Sequence, residues 1–164
     1  MFSKKIADET EFKTLSECPL FMGLSKGELK SVLGISHIRE YSADEKIFNE
    51  GTVGLCFYII VKGSAVIVDD ASADEKPHVL KTYIQSDYFS ETHLFSETYH
   101  TVSCVAREVT KLIIFTKPDF EDLVKINPGT GNKLLMNFLH FIGDRLEELY
   151  RQNTELLKQV TEKP

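Results

Sequence analysis

Between residues 36 and 115 the apolar residues gather in short runs, each bounded by turn-forming residues: His37–Tyr41, Leu55–Val61, Ser64–Val68, His78–Ile84, Val102–Arg107 and Lys111–Phe115. None is long enough for a buried helix, and β-branched and aromatic residues dominate several of them. The middle of the chain is therefore expected to be sheet, folded into a small sandwich or barrel. Lys62-Gly63 reads as a tight hairpin between two runs. Asp69–Pro77 is small, acidic and polar, as an exposed loop would be.

Helical signals flank this core. Residues 11–35 read as short helices: Ser25 precedes Glu28 by the capping-box spacing, and Leu29, Val32 and Leu33 follow at helical intervals. Thr116 and Asp119 repeat that spacing with Pro118 in the first turn, and Asn127-Pro128 opens a helix that runs to about Val160. The expected division is N-terminal helices over 1–35, a β-barrel with a following short helix over 36–127, and a C-terminal helix over 128–164.

With 164 residues and a net charge of −6, the chain suits one domain plus an appended element and lacks the basic face that nucleic acid or anionic lipid requires. Cys18, Cys56 and Cys104 form no CxxC pair, so free thiols in a reducing compartment are expected. The N-terminus carries no apolar signal core, and no stretch approaches a membrane span, which points to the cytoplasm. His37, His78, His93 and His140 are scattered without metal-ligand spacing and are read as structural or surface residues. No nucleophile–base pair emerges, so an enzyme is not expected.

Glu50-Gly51-Thr52-Val53-Gly54, followed by Phe57-Tyr58-Ile59-Ile60 and Gly63, resembles the cyclic nucleotide-binding domain family, which includes catabolite activator proteins, protein kinase A regulatory subunits and cyclic-nucleotide-gated channels. Gly51 and Gly54 would permit a tight turn with positive φ, and Gly63 would close the next hairpin. Pro19–Leu33 looks like the family's first helices, and Leu112–Pro128 like its last strand and the helix after it. The resemblance implies a mainly β fold with flanking helices: a double-stranded β-helix, or jelly-roll, barrel followed by a long C-terminal helix.

The family's phosphate-binding cassette reads roughly Phe-Gly-Glu, a short helix, then Arg and small residues. Its Glu takes the ribose and its Arg the cyclic phosphate. By position Phe89 and Glu91 match, Ser90 replaces the Gly, His100 replaces the Arg, and Thr101 and Val102 replace the small residues. A near-duplicate, Phe95-Ser96-Glu97, offers a second alignment that would bring Arg107 toward the phosphate. Losing one partner of a buried charge pair costs about 2–5 kcal/mol, or roughly 30-fold to several thousand-fold in affinity. An imidazole is mostly neutral near pH 7. His100 is thus either an altered, pH-sensitive anion contact or a loop-surface histidine. Glu91 is either a ribose contact or a carboxylate satisfying backbone N–H groups.

Leu135, Leu139, Ile142, Leu146, Leu149, Asn153, Leu156 and Val160 alternate at spacings of four and three, an a/d seam with Asn153 at an a position. Leu134, Phe138 and Phe141 form a second stripe that would pack onto the barrel. The seam suggests a homodimer, and in the activator subfamily a matching helix forms the dimer interface. A chain ending at Pro164 would leave no room for the activators' DNA-binding unit, so nucleic acid is not an expected partner. The expected function is a dimeric, non-enzymatic regulatory module acting on a protein partner, with weak or no ordinary cAMP or cGMP binding. The alternative is a genuine cAMP or cGMP sensor signalling through the C-terminal helix.

Overall fold

The two strongest apolar runs pair with each other. In the computed structural model, which describes residues 9–69 and 78–161, strand β3 (Cys56–Lys62) lies antiparallel to β8 (Thr110–Thr116) with Phe57 opposite Phe115 and Ile59 opposite Ile113. Both strands are apolar on successive residues because both of their faces are covered. Tyr58, Ile60, Leu112 and Ile114 point into the barrel, whereas Phe57, Ile59, Val61, Ile113 and Phe115 point at the helices.

The remaining strands are β1 (His37–Tyr41), β2 (Lys46–Phe48), β4 (Ala65–Asp69), β5 (His78–Tyr83), β6 (Tyr88–Phe89) and β7 (Ser103–Ala106). They complete two antiparallel four-stranded sheets of order β1-β8-β3-β6 and β2-β7-β4-β5. This is the jelly roll expected from the sequence. β2 and β6 carry no sequence signal of their own, since strands of three and two residues are too short to show an alternation. From residue 70 onward, the acidic loop read at Asp69–Pro77 lies outside the described residues.

Among the described residues four helices flank the sheets: α1 (Glu9–Glu17), α2 (Lys26–Ile35), α3 (Lys117–Ile126) and α4 (Pro128–Thr161), with a 3-10 turn at Pro19–Phe21. Ser25 and Glu28 form the full capping box at the start of α2. The same Glu28 carboxylate accepts from Lys133 Nζ of α4 at 2.9 Å. The Ser25 amide, followed by Lys133, lowers its pKa to about 2. Asn137 of α4 donates to the carbonyls of Leu20 and Met22 at 3.1 and 2.8 Å. Gly131 lets α4 cross α3 closely, since a Cβ there would strike Val124 Cα at 2.8 Å. Glu11 of α1, itself buried, forms an ion pair with Lys111 of β8.

Only the first part of α4 belongs to the core. Leu134 and Phe138 are fully buried, and Leu135 and Phe141 pack against the same cluster. Leu135, read from the sequence as the first seam residue, is thus shared with the chain's own core. From Leu139 on, the other apolar seam residues are exposed.

Candidate functional site

The cassette begins where β6 ends. Phe89 is buried and stacks on Tyr58 with centroids 5.1 Å apart and planes within 16°. The chain then turns through Ser90, which adopts the left-handed conformation at φ 63° and ψ 25°. On the first alignment that is the place of the family's glycine, and a residue with a Cβ is held there at a cost of roughly 1–2 kcal/mol. A 3-10 turn, Glu91–Leu94, follows. Leu94 is buried in the helical core, and Phe95 meets Phe120 and Phe138 edge-on at 5.8 and 5.1 Å.

The cassette's exit is clamped to the Gly51–Gly54 turn by backbone pairs. His100 N donates to Thr52 O at 2.8 Å, Gly51 N to His100 O at 2.8 Å, and Gly54 N to Thr98 O at 2.9 Å. Gly51 has the expected positive φ of 75°. Gly54 does not, which corrects the turn role expected for it. Its lack of a side chain matters for another reason: the His93 imidazole fills the space a Cβ would occupy.

His93 therefore comes to lie against His100, with ring centroids 4.4 Å apart. His100 stacks on Phe48 at 3.8 Å, with planes 9° from parallel. At 6% exposure His100 is no loop-surface residue, contrary to that sequence reading. His93 Nδ1 is buried and has no hydrogen-bond partner among the described residues. Burial pushes the His100 imidazole down from 6.5 to about 4, and the neighbouring His93 adds to the fall. Burial lowers His93 as well, partly offset by the nearby Ser90 backbone and Glu91. Both rings are consequently neutral near pH 7. A neutral, buried imidazole offers a phosphate neither a charge nor the two-pronged donor of a guanidinium.

The other anticipated residues divide. Thr101 is exposed and Val102 half-buried beside the start of β7. Arg107 is not brought to the cassette. It follows the far end of β7, roughly 13 Å along the strand from Ser103, and its backbone N–H is tied to Ser64 O at 2.9 Å. Glu91 faces a separate cleft between β5 and α4 that it lines together with Lys81, Tyr83, Tyr88, Phe141 and Arg145. From the sequence Glu91 is a candidate contact, Phe141 a packing residue and His93 a structural or surface histidine, while Lys81, Tyr83, Tyr88 and Arg145 carry no signal there. The signal for His93 was the repeat itself, since His93 and His100 close the two copies of Phe-Ser-Glu-Thr. Among the described residues no group of three or more His, Cys, Asp or Glu is placed to hold a metal ion. No described helix is long and apolar enough to cross a membrane.

A sequence model of the cyclic nucleotide-binding domain matches residues 38–127, more than half of the chain. The chain belongs to the cyclic nucleotide-binding domain family. It is 29% identical over 110 residues to the cAMP-dependent protein kinase regulatory subunit of Schizosaccharomyces pombe, a match covering 67% of this chain and 26% of that protein. It is 26% identical over 130 residues to human cGMP-dependent protein kinase 2, covering 74% of this chain and 17% of the kinase. The chain thus matches about a quarter or less of the length of these relatives. Among solved structures, Thermus thermophilus catabolite activator protein superposes with a TM-score of 0.72 at 25% identity, covering 85% of this chain and 63% of that one. The N-terminal domain of a Streptomyces coelicolor transcriptional regulator shares the fold, with a TM-score of 0.74 at 19% identity and coverage of 83% and 94%.

Proposed function

We propose that this chain is a non-catalytic regulatory module whose cassette binds ordinary cAMP and cGMP weakly or not at all. On this reading it works in the cytoplasm as a homodimer joined through α4 and passes its state to a protein partner. One observation carries the cassette reading: His93 fills the space over Gly54 and abuts His100, which is stacked on Phe48. A cyclic phosphate entering there would displace a buried aromatic contact worth about 0.5–1.5 kcal/mol beyond its area. It would also lack the guanidinium, whose absence costs about 2–5 kcal/mol.

The dimer reading is supported by the seam of α4, where Leu149, Asn153, Leu156 and Val160 are exposed along one helix. A reducing setting is supported by Cys18, Cys56 and Cys104 all being free thiols. Burial pushes Cys18 and Cys104 up to about 12, which makes them packing groups rather than nucleophiles.

The kinase relatives favour the other reading, a genuine cAMP or cGMP sensor using Glu91, backbone amides and a displaced His93. Calorimetric titration of a panel of cyclic mononucleotides at neutral pH separates the two. No saturable binding in the micromolar range is expected. Micromolar affinity for any of them would overturn the proposal in favour of the sensor.

A further inference from the structure

A recess of about 340 Å³ lies between the cassette exit, α3 and α4. Its lining is largely apolar: Leu94 and Phe95 from the cassette, Phe120 and Val124 from α3, and Leu135 from α4. Leu94 is buried, whereas Phe95 remains 40% exposed although its ring meets Phe120 and Phe138 edge-on. Both cations of the rim are already paired, Lys117 with Glu97 at 3.0 Å and Lys125 with Asp122 at 3.5 Å. An uncharged apolar side chain therefore suits the recess better than an anion does.

Leu135 is also the first residue of the a/d seam, so recess and seam form one continuous surface. Asn153 argues for the direction of a partner helix. In a parallel, in-register pair the two Asn153 amides face each other and can hydrogen-bond, whereas antiparallel pairing sets each against an aliphatic d residue. In a parallel pair, each e position lies beside the g position of the partner's preceding heptad. Met136, directly after Leu135, is such an e residue, and Gly131 is the matching g residue. Gly131 marks the place where α4 crosses α3 against Val124, and it brings no side chain to block approach. Met136 is 51% exposed. Its unbranched thioether fills irregular gaps and packs well at aromatic edges.

We propose that in the homodimer Met136 of the partner subunit enters this recess and covers Phe95, so that each subunit completes the other's cassette exit. The proposal rests on the dimer reading above and adds to it the residue that joins interface to cassette. Occupancy holds Phe95 against Phe120 and Phe138, and assembly thereby orders the turn Glu91–Leu94 without any nucleotide.

The test places a photoreactive benzoylphenylalanine at Met136 in the full chain. This chain is allowed to exchange subunits with isotope-labelled wild type, irradiated, digested and read by mass spectrometry. Cross-links should join the unlabelled probe to labelled peptides holding Phe95 or Phe120–Val124. Sedimentation of the same samples gives the assembly state. Met136→Ala should weaken dimerisation by about tenfold or more and speed amide hydrogen exchange over Glu91–Phe95. Met136→Leu should keep both near wild type, and the exposed His140→Ala should change neither. A dimer whose cross-links stay within one chain, or reach only the seam from Leu139 onward, would overturn the recess and leave the dimer reading standing. A dimer indifferent to Met136→Ala would do the same. A wild type monomeric at high micromolar concentration would overturn both.

Discussion

The imidazole of His100 lies flat on the ring of Phe48, with centroids 3.8 Å apart and planes 9° from parallel. A histidine held this way is part of the barrel's aromatic core, where Phe48 also meets Tyr58 and Phe89. Its ring plane is fixed by packing against Phe48 on one side and His93 beside it.

The first consequence is acid sensitivity. Folding lowers the proton affinity of His100 from 6.5 to about 4. Between those values the unfolded chain binds more protons, so the neutral ring's contribution is complete above pH 6.5 and is lost as pH falls toward 4. Urea midpoints should fall between about pH 7 and 4.5, and fall less in His100→Phe, which keeps a flat ring on Phe48. Equal pH dependence in the two proteins would contradict the assignment.

Gly54 and His93 should be coupled. Adding a methyl group in Gly54→Ala forces His93 out of its place, an overpacking cost of about 1–3 kcal/mol. In a His93→Ala background the same methyl enters vacated space and should cost much less. A double-mutant cycle by denaturant unfolding should give a coupling of about 1 kcal/mol or more. Additive effects would show that His93 does not occupy that space.

How much of this could be read in the sequence depends on range. β3 and β8 were legible because a run buried on both faces is apolar at every position, as Phe57–Val61 and Leu112–Phe115 are. The capping box at Ser25 and the cassette frame at Phe89 and Glu91 are local, and were legible for that reason. The role of Gly54 was not, because it depends on a side chain 39 positions away, at His93. The burial of His100 depends on Phe48, contributed by a strand too short to announce itself. The cleft joins Lys81 to Arg145 through three elements whose contact no spacing encodes.

Glu11 and Lys111 tie α1 to β8 through a largely buried ion pair. Removing one partner leaves the other charge desolvated, and Glu11→Gln should cost about 3 kcal/mol. The double replacement Glu11→Leu/Lys111→Leu should cost less than Glu11→Gln alone. Chemical denaturation measures both, and a double variant weaker than the single would contradict the pairing.

Asn153 gives the seam its specificity on the dimer reading. A polar residue at an a position selects register and strand number while lowering stability. Sedimentation equilibrium should find the wild type dimeric at high micromolar concentration. Asn153→Leu should associate more tightly and with mixed stoichiometry. A wild type that stays monomeric there would refute the dimer.

The cassette proposal rests on the neutral imidazoles of His93 and His100, with His100 in the place that the first alignment gives the family's Arg. The decisive comparison is calorimetry of cAMP against the wild type and against His93→Ala/His100→Arg, side by side at neutral pH. The wild type should show no saturable micromolar binding, and the double variant should gain about 30-fold or more. Micromolar binding by the wild type, unimproved by the substitutions, would show that the imidazoles do not block the phosphate.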